Sequence, residues 1–224
     1  MLTQQTAAAV LAEAIKTGGD FAEIFLEDRL NHTLSMVSGK VETVNSLRLH
    51  GAGVRVFSGT QGIYVYTNDT SEAGLIACAR RAAGAIQDGA GATVTPLKWQ
   101  DTPNIHIIPL SPDQVKTAKK VEKMRAAQAA LKQYSELSQG TISYTDSIQR
   151  ITIANTEGLF TGDTRVYTRF AVNAIASNGT ENQTGSASPG AMQGFEIFDH
   201  RIDPEACAHK AAKQAITMLH ALMC

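Results

Sequence analysis

Neither charge dominates this sequence. Twenty lysines and arginines face 21 aspartates and glutamates, for a formal net charge of −1, and no long run of either sign occurs. The positive field that a nucleic-acid-binding surface needs is therefore missing. No apolar run approaches the ~20 residues of a membrane span. Cysteine is scarce: Cys78, Cys207 and Cys224 are odd in number and stand at no metal-like spacing. With no secretory signal at the N-terminus, they read as reduced thiols, and the expected location is cytoplasmic. The Asn-x-Thr triplets at Asn31, Asn68, Asn178 and Asn182 then carry no glycosylation meaning. Aromatics make up only 6% of the 224 residues. Alanine-rich segments instead alternate with Thr/Val/Ile-rich ones, the mark of helices plus sheet in one large domain or two small lobes.

Periodicity and caps predict four helices. Residues 3–17 carry Ala7, Val10, Leu11, Ala14 and Ile15 on one face, and Gly18-Gly19 ends the run. A second helix is expected from Ser71 to about Gln87. A third opens with Ser111-Pro112-Asp113-Gln114, which has the form of a capping box, and runs to about Tyr134. The fourth follows Asp203-Pro204-Glu205 and aligns Ala208, Ala212, Ala215, Leu219 and Leu222 in one stripe.

The segments between them read as strands. "FAEIFLED" alternates, and "HTLSMVSGKVETVNS" forms a hairpin turning at Ser38-Gly39. The block from Asp146 onward has turns at Asn155–Gly158 and at Asn178-Gly179. The expected fold class is α+β, with antiparallel sheets of hairpins flanked by helices. Two similar helix–sheet–helix lobes, 1–90 and 104–224, would be joined by the loop "DGAGATVTPLKWQDTPN".

The stretch "GAGVRVFSGTQGIYVYTND", Gly51 to Asp69, opens like a phosphate-cradling loop. A dinucleotide fingerprint needs a third glycine where Val56 stands, and it must lead directly into a helix. Here a second strand pattern follows instead. Turning at Ser58–Gln61 pairs Val56 with Ile63 and Val54 with Val65 as one apolar face. Arg55 then opposes Tyr64, and Gly53 opposes Tyr66. The reading is a hairpin in which Gly53 gives the Tyr66 ring bare backbone to lie on, while Arg55 sits against Tyr64.

These residues also carry a resemblance. "GAGVRVFSGTQGIYVYTNDTSEAGL" resembles a segment near the start of proteins of the TldD/PmbA family, zinc metallopeptidases also called modulators of DNA gyrase. "FAEIFLEDRLNHTLSMVSGKVETVNS" is similar to the family's opening strands. "ITIANTEGLFTGDTRVYTRFAVNAIASNGTENQTGSAS", with Arg165 after its turn, is similar to the middle region. "GFEIFD" before an alanine-rich helix fits as well. The likeness runs from about Asp20 to the C-terminus and is nearer to the TldD branch than to PmbA, although "SASPGAMQG" replaces a richer glycine run. It implies zinc in a full-length relative, bound by a His-Glu-x-x-x-His helix that also supplies a glutamate base. None of the six histidines here (His32, His50, His106, His200, His209, His220) is followed by glutamate. No catalytic or metal-binding position can be carried over, and this chain is expected to be inactive alone.

Other clusters have plainer readings. His220 and Cys224, with His209 three turns back, have helical spacing, but ligands spread over ~16 Å of one helix cannot meet on one ion. Glu23 and Glu27 share a strand face with Phe21 and Phe25, where they are either solvated edge residues or the flanks of a substrate groove. Lys119, Lys120, Lys123 and Arg125, beside Glu122, read as a solvated helix face.

Three functions stay open at this level. The first is the N-terminal, non-catalytic domain of a TldD-like metallopeptidase, with the C-terminal peptidase domain absent from the chain. It would shape substrate access for unfolded peptides and contact a TldD/PmbA-type subunit or a second copy of itself. The second is a stand-alone peptide- or protein-binding module, and the third a partner of a DNA topoisomerase. A stripe ending at Leu222 and Met223 with nothing to pack against would favour self-association.

Overall fold

The structure is a computed structural model, and it describes residues 2–86 and 91–221. The elements run α1 (Gln4–Ala14), β1 (Phe21–Val37), β2 (Lys40–Ser58), β3 (Gln61–Thr67), α2 (Glu72–Gly84) and β4 (Lys98–Gln100). After a 3-10 turn at Pro112–Gln114 come α3 (Thr117–Leu131), β5 (Leu137–Asn155), β6 (Leu159–Ser177), β7 (Asn182–Ala187), β8 (Gly190–Ala191), α4 (Ile197–His200) and α5 (Pro204–Leu219). The α+β class is as expected, but the strands form one eight-stranded sheet rather than several. Its order is β3-β2-β1-β5-β6-β4, with β7 and β8 also on β6. The short β4 pairs with β6 in parallel, and it lies in what the sequence suggested was a plain loop.

Four strands, β1, β2, β5 and β6, are far longer than the ~5–6 residues usual in globular proteins. "FAEIFLED" and "HTLSMV" are a single 17-residue strand. Nothing between Asp28 and Asn31 has the glycine or proline that would break it. The turn to β2 puts both Ser38 (φ 47°) and Gly39 (φ 89°) in the left-handed region, the pairing that matches strand twist in a two-residue hairpin. Asn155 accepts from the backbone N–H groups of Glu157 and Leu159, and Asn178 from those of Thr180 and Glu181. These side chains close the two later turns where the sequence placed them.

The chain divides into two compact units that do not follow the contiguous lobes 1–90 and 104–224. One comprises Met1–Arg29, Arg48–Asn104 and Gln149–Thr164; the other comprises Leu30–Leu47, Ile105–Ile148 and Arg165–Cys224. Each long strand contributes residues to both.

In the first unit, α1 and α2 pack on the sheet through Ala7, Val10, Leu11, Leu75, Ala79 and Ala82. They meet Ala22, Ile24, Val54, Val56 and Ala154 from the strands. Thr3 and Ser71 cap the two helices, each accepting a backbone N–H three residues on. The predicted end of α2 near Gln87 lies outside the described residues.

The second unit closes α3 and α5 over Leu34, Met36, Ile142, Tyr144, Phe170, Val172 and Ala174, with Phe195 and Phe198 packed among them. Ser111 does not cap α3. Its side chain makes no capping bond, Val115 is extended (φ −99°, ψ 123°), and the helix starts at Thr117. Val115 packs against the core, and that burial takes it out of the helical path. Ala215 (0% exposed) and Leu219 (7%) are buried on α5, so the part of the stripe described here is not bare; Met218 is half-exposed. Leu222 and Met223 lie outside the described residues.

Lys120 corrects the reading of a solvated basic face. It is 3% exposed, its Nζ lies 2.6 Å from Asp146 Oδ2 and 5.1 Å from the Tyr144 ring centre, and His32 Nδ1 sits 2.7 Å from the other Asp146 oxygen. Breaking a buried ion pair from one side typically costs about 3–5 kcal/mol because a charge is left uncompensated. Lys120→Met and Asp146→Leu should each lose that much in urea unfolding, and the double variant should lose less than the sum. Single variants as stable as the parent would show that the pair is not held in a dry core.

Candidate functional site

The face of the first unit's sheet opposite α1 and α2 is open. Strict alternation creates it: Ala22, Ile24 and Leu26 are buried, while Phe21, Glu23, Phe25 and Glu27 lie half-exposed on the other side. β1 is an interior strand of the sheet, so these acids are not edge residues. The β2–β3 hairpin extends the face in the register read from the sequence. Gly53 pairs with Tyr66, Val54 with Val65, Arg55 with Tyr64, and Val56 with Ile63.

The aromatic contact differs from expectation in one respect. The ring over Gly53 belongs to Tyr64, the diagonal neighbour, and a Cβ on Gly53 would run into it. Tyr66 instead stands 76% exposed. Tyr64 leans back because Arg55 holds it: the guanidinium is 5.4 Å from the Tyr64 ring centre and 6.0 Å from that of Phe57. Arg55 is fixed in turn by Glu23, at 3.1 Å. Glu27 accepts from Gln149 Nε2 at 2.7 Å and pairs with Arg29 at 2.8 Å.

Two adjoining depressions of about 680 and 410 Å³ share Phe25, Gly53 and Tyr64. Together they make a trough with tyrosines at one wall, bare glycine backbone on the floor and acids already paired with cations. His50, at its margin, is bonded to the Thr70 hydroxyl at 2.8 Å. The trough's chemistry is that of contact: flat rings, a close approach to backbone, and one strongly exposed tyrosine.

The sequence-level ligand candidates do not converge. His209 Nδ1 is 2.9 Å from the Tyr134 hydroxyl, and His220 Nε2 is 2.6 Å from Glu136. Cys224 lies outside the described residues. Among the described residues no group of three or more His, Cys, Asp or Glu side chains could hold a metal ion. A zinc centre therefore does not fit the residues described. Burial raises the pKa of the Cys78 and Cys207 thiols, which makes both poor nucleophiles. No helix among the described residues is long and apolar enough to cross a membrane.

Sequence reasoning missed the His32–Asp146–Lys120 cluster because its members are far apart along the chain. The alternation of β5, which turns Asp146 inward with Ile142 and Tyr144, is the one signal that could have found it.

The trough generates a paired prediction. Gly53→Val should displace Tyr64 and cost ~1–3 kcal/mol as overpacking. Because the obstacle is a half-exposed side chain, Tyr64→Ala in the same chain should recover most of that loss. Gly51, inside β2, has less relief: a Cβ there would lie 2.8 Å from the Thr67 carbonyl oxygen, so Gly51→Ala should also destabilise. Its loss should persist in the Tyr64→Ala background. Thermal unfolding of the four variants checks this, and equal rescue of both glycine variants would contradict it.

Comparison with known proteins now places the chain. The model of the PmbA/TldA metallopeptidase domain 1 matches residues 22–86, and that of the PmbA/TldA metallopeptidase central domain matches residues 110–219. A metalloprotease of Methanothermobacter thermautotrophicus is 26% identical over 207 residues, covering 90% of this chain and 44% of its own length. Among solved structures, a Thermotoga maritima protein named as a modulator of a DNA gyrase superposes with a TM-score of 0.77 at 15% identity, over 99% of this chain and 49% of that one. TldE of Thermococcus kodakarensis gives 0.68 at 11% identity, over 94% and 47%. At such identities these structures speak for the fold alone. The chain spans about half the length of the relatives it matches. With both domain models together taking in more than half of its residues, the chain belongs to the PmbA/TldD metallopeptidase family.

Proposed function

We propose that this chain is the non-catalytic, N-terminal part of a TldD-like metallopeptidase, and that its open aromatic trough guides unfolded polypeptide toward a peptidase centre. The supporting observation is a combination: the family's first and central domains are matched, while no histidine in the sequence is followed by the glutamate that a His-Glu-x-x-x-His helix requires. Zinc belongs to the full-length family protein in this reading, and no step of hydrolysis runs through the residues described here. What the chain supplies is positioning. An extended segment laid across bare glycine backbone can approach closely, and Tyr64 and Tyr66 offer faces on which side chains of varied sequence can rest. Contact with a second TldD/PmbA-type subunit, or with another copy of the chain, is part of the same proposal, as is a cytoplasmic setting with reduced thiols.

The purified chain is expected to contain less than stoichiometric zinc and to show no chelator-sensitive hydrolysis of unfolded peptides. It should still bind a fluorescent unstructured peptide, and Tyr64→Ala with Tyr66→Ala should weaken that binding roughly tenfold, in line with two lost aromatic contacts of ~0.5–1.5 kcal/mol each. Tightly bound zinc together with hydrolysis would overturn the non-catalytic reading. Unchanged peptide affinity in the tyrosine variant would remove the trough from it.

A further inference from the structure

A second depression in the first unit, of about 600 Å³, is not used by the proposal above. It falls within the ~300–1,000 Å³ common for small-ligand pockets. Leu26 and Ile151, both buried, give it an apolar floor, and Trp99 lines one side with half its surface exposed.

Trp99 is held in place from three directions. Its edge meets Phe160 at 5.2 Å and 76°, its indole N–H donates to Asp101 Oδ1 at 2.7 Å, and its ring lies over Gly162, where an added Cβ would come within 3.1 Å of it. The parallel pairing of β4 with β6 sets Trp99 opposite Phe160 and fixes the height of the ring. A large flat apolar face is thus left in solvent but immobilised, so stacking on it costs little additional ordering.

Another part of the lining is cationic in a specific way. Arg48 donates through Nε and Nη2 to the two oxygens of Asp28, at 2.7 and 2.9 Å. That fork-to-fork pair locks the guanidinium and leaves Nη1 unused by it. Arg150 brings a second guanidinium to the lining, and His50 a ring bonded to Thr70 at 2.8 Å. Asp28 is held below the usual aspartate range, chiefly by the hydrogen bond from Arg48, with His50 and Arg150 adding to the effect. One carboxylate therefore serves several cationic groups. Asp163, the other acid of the lining, has an interaction of its own.

We propose that this depression binds a small aromatic carboxylate, its ring stacked on Trp99 and its carboxylate received by Arg48 and Arg150. A nucleotide fits less well, because two guanidiniums beside two acids cannot balance several phosphate charges and no glycine-rich loop leads to a helix N-terminus here. A neutral aromatic would use the indole but neither Arg48 Nη1 nor the Arg150 guanidinium. The proposal does not depend on the metallopeptidase reading, and it stands or falls on equilibrium binding alone.

Trp99 is the chain's only tryptophan, so its intrinsic fluorescence reports on this site without a label. N-acetylphenylalanine should change that fluorescence saturably. N-acetylphenylalaninamide (ring without charge) and N-acetylalanine (charge without ring) should each bind about tenfold more weakly, the scale of one charge-assisted hydrogen bond or one stacking contact. Arg150→Gln should lower the affinity for the acid toward that of the amide and leave the amide's unchanged, a pattern that misfolding would not produce. No saturable change up to about 10 mM, weaker than the millimolar affinities of small fragments, would overturn the proposal. So would equal affinity for acid and amide, or tighter binding of adenosine monophosphate.

Discussion

Alternation along four unusually long strands is the constraint on which the rest of this structure depends. Over stretches such as Phe21–Glu27 of β1, Gly140–Ile148 of β5 and Val166–Ala176 of β6, alternate residues are committed to a core, and the side chains between them are left to the other face. In the first unit that face receives Phe21, Glu23, Phe25 and Glu27, together with Arg55, Tyr64 and Tyr66 from the hairpin. A slip of one residue would exchange the two sets and turn Glu23, Glu27 and Arg55 toward the core. The trough follows from the same pattern that builds the core.

Charge is handled differently on the two faces. On the open side of the first unit, Glu23 and Glu27 keep their pairs at moderate exposure, where an ion pair adds little stability and serves mainly to orient Arg55 and thereby Tyr64. Inside the second unit, Asp146 and Lys120 are almost fully buried, and the Asp146 carboxylate is shared between Lys120 and His32. Such a group is weak evidence for stability but fixes which residues must face each other. We infer that it helps to pin α3 to β5 in one arrangement, since an apolar contact alone would tolerate sliding.

Much of this was legible in the sequence where a rule is local. The β2–β3 register was readable because Val54 and Val56 have only one set of partners, Ile63 and Val65, once the turn is set at Ser58–Gln61. The later turns were readable because Asn155 and Asn178 close them with their own side chains. What could not be read depended on distant partners or on competition. Asp146 is 26 residues from Lys120 and 114 from His32. The apparent capping box at Ser111 lost to the burial of Val115. The joining of two segments into β1 was hidden by the stretch Asp28–Asn31, whose Asp and Asn suggest a turn but which has no glycine or proline to break the strand. For the trough, the pairing of Gly53 with Tyr66 was legible, while the diagonal lean of Tyr64 onto Gly53 needed the position of Arg55.

The central claim is that the open face of the first unit receives extended polypeptide for a peptidase centre that these residues do not form. Hydrogen exchange of the chain with and without a saturating unstructured polypeptide tests it most directly. The account predicts slower exchange in Phe21–Glu27 and Gln61–Thr67, with α3 and α5 unchanged. Protection confined to α3 and α5, or no protection in the presence of demonstrated binding, would contradict it.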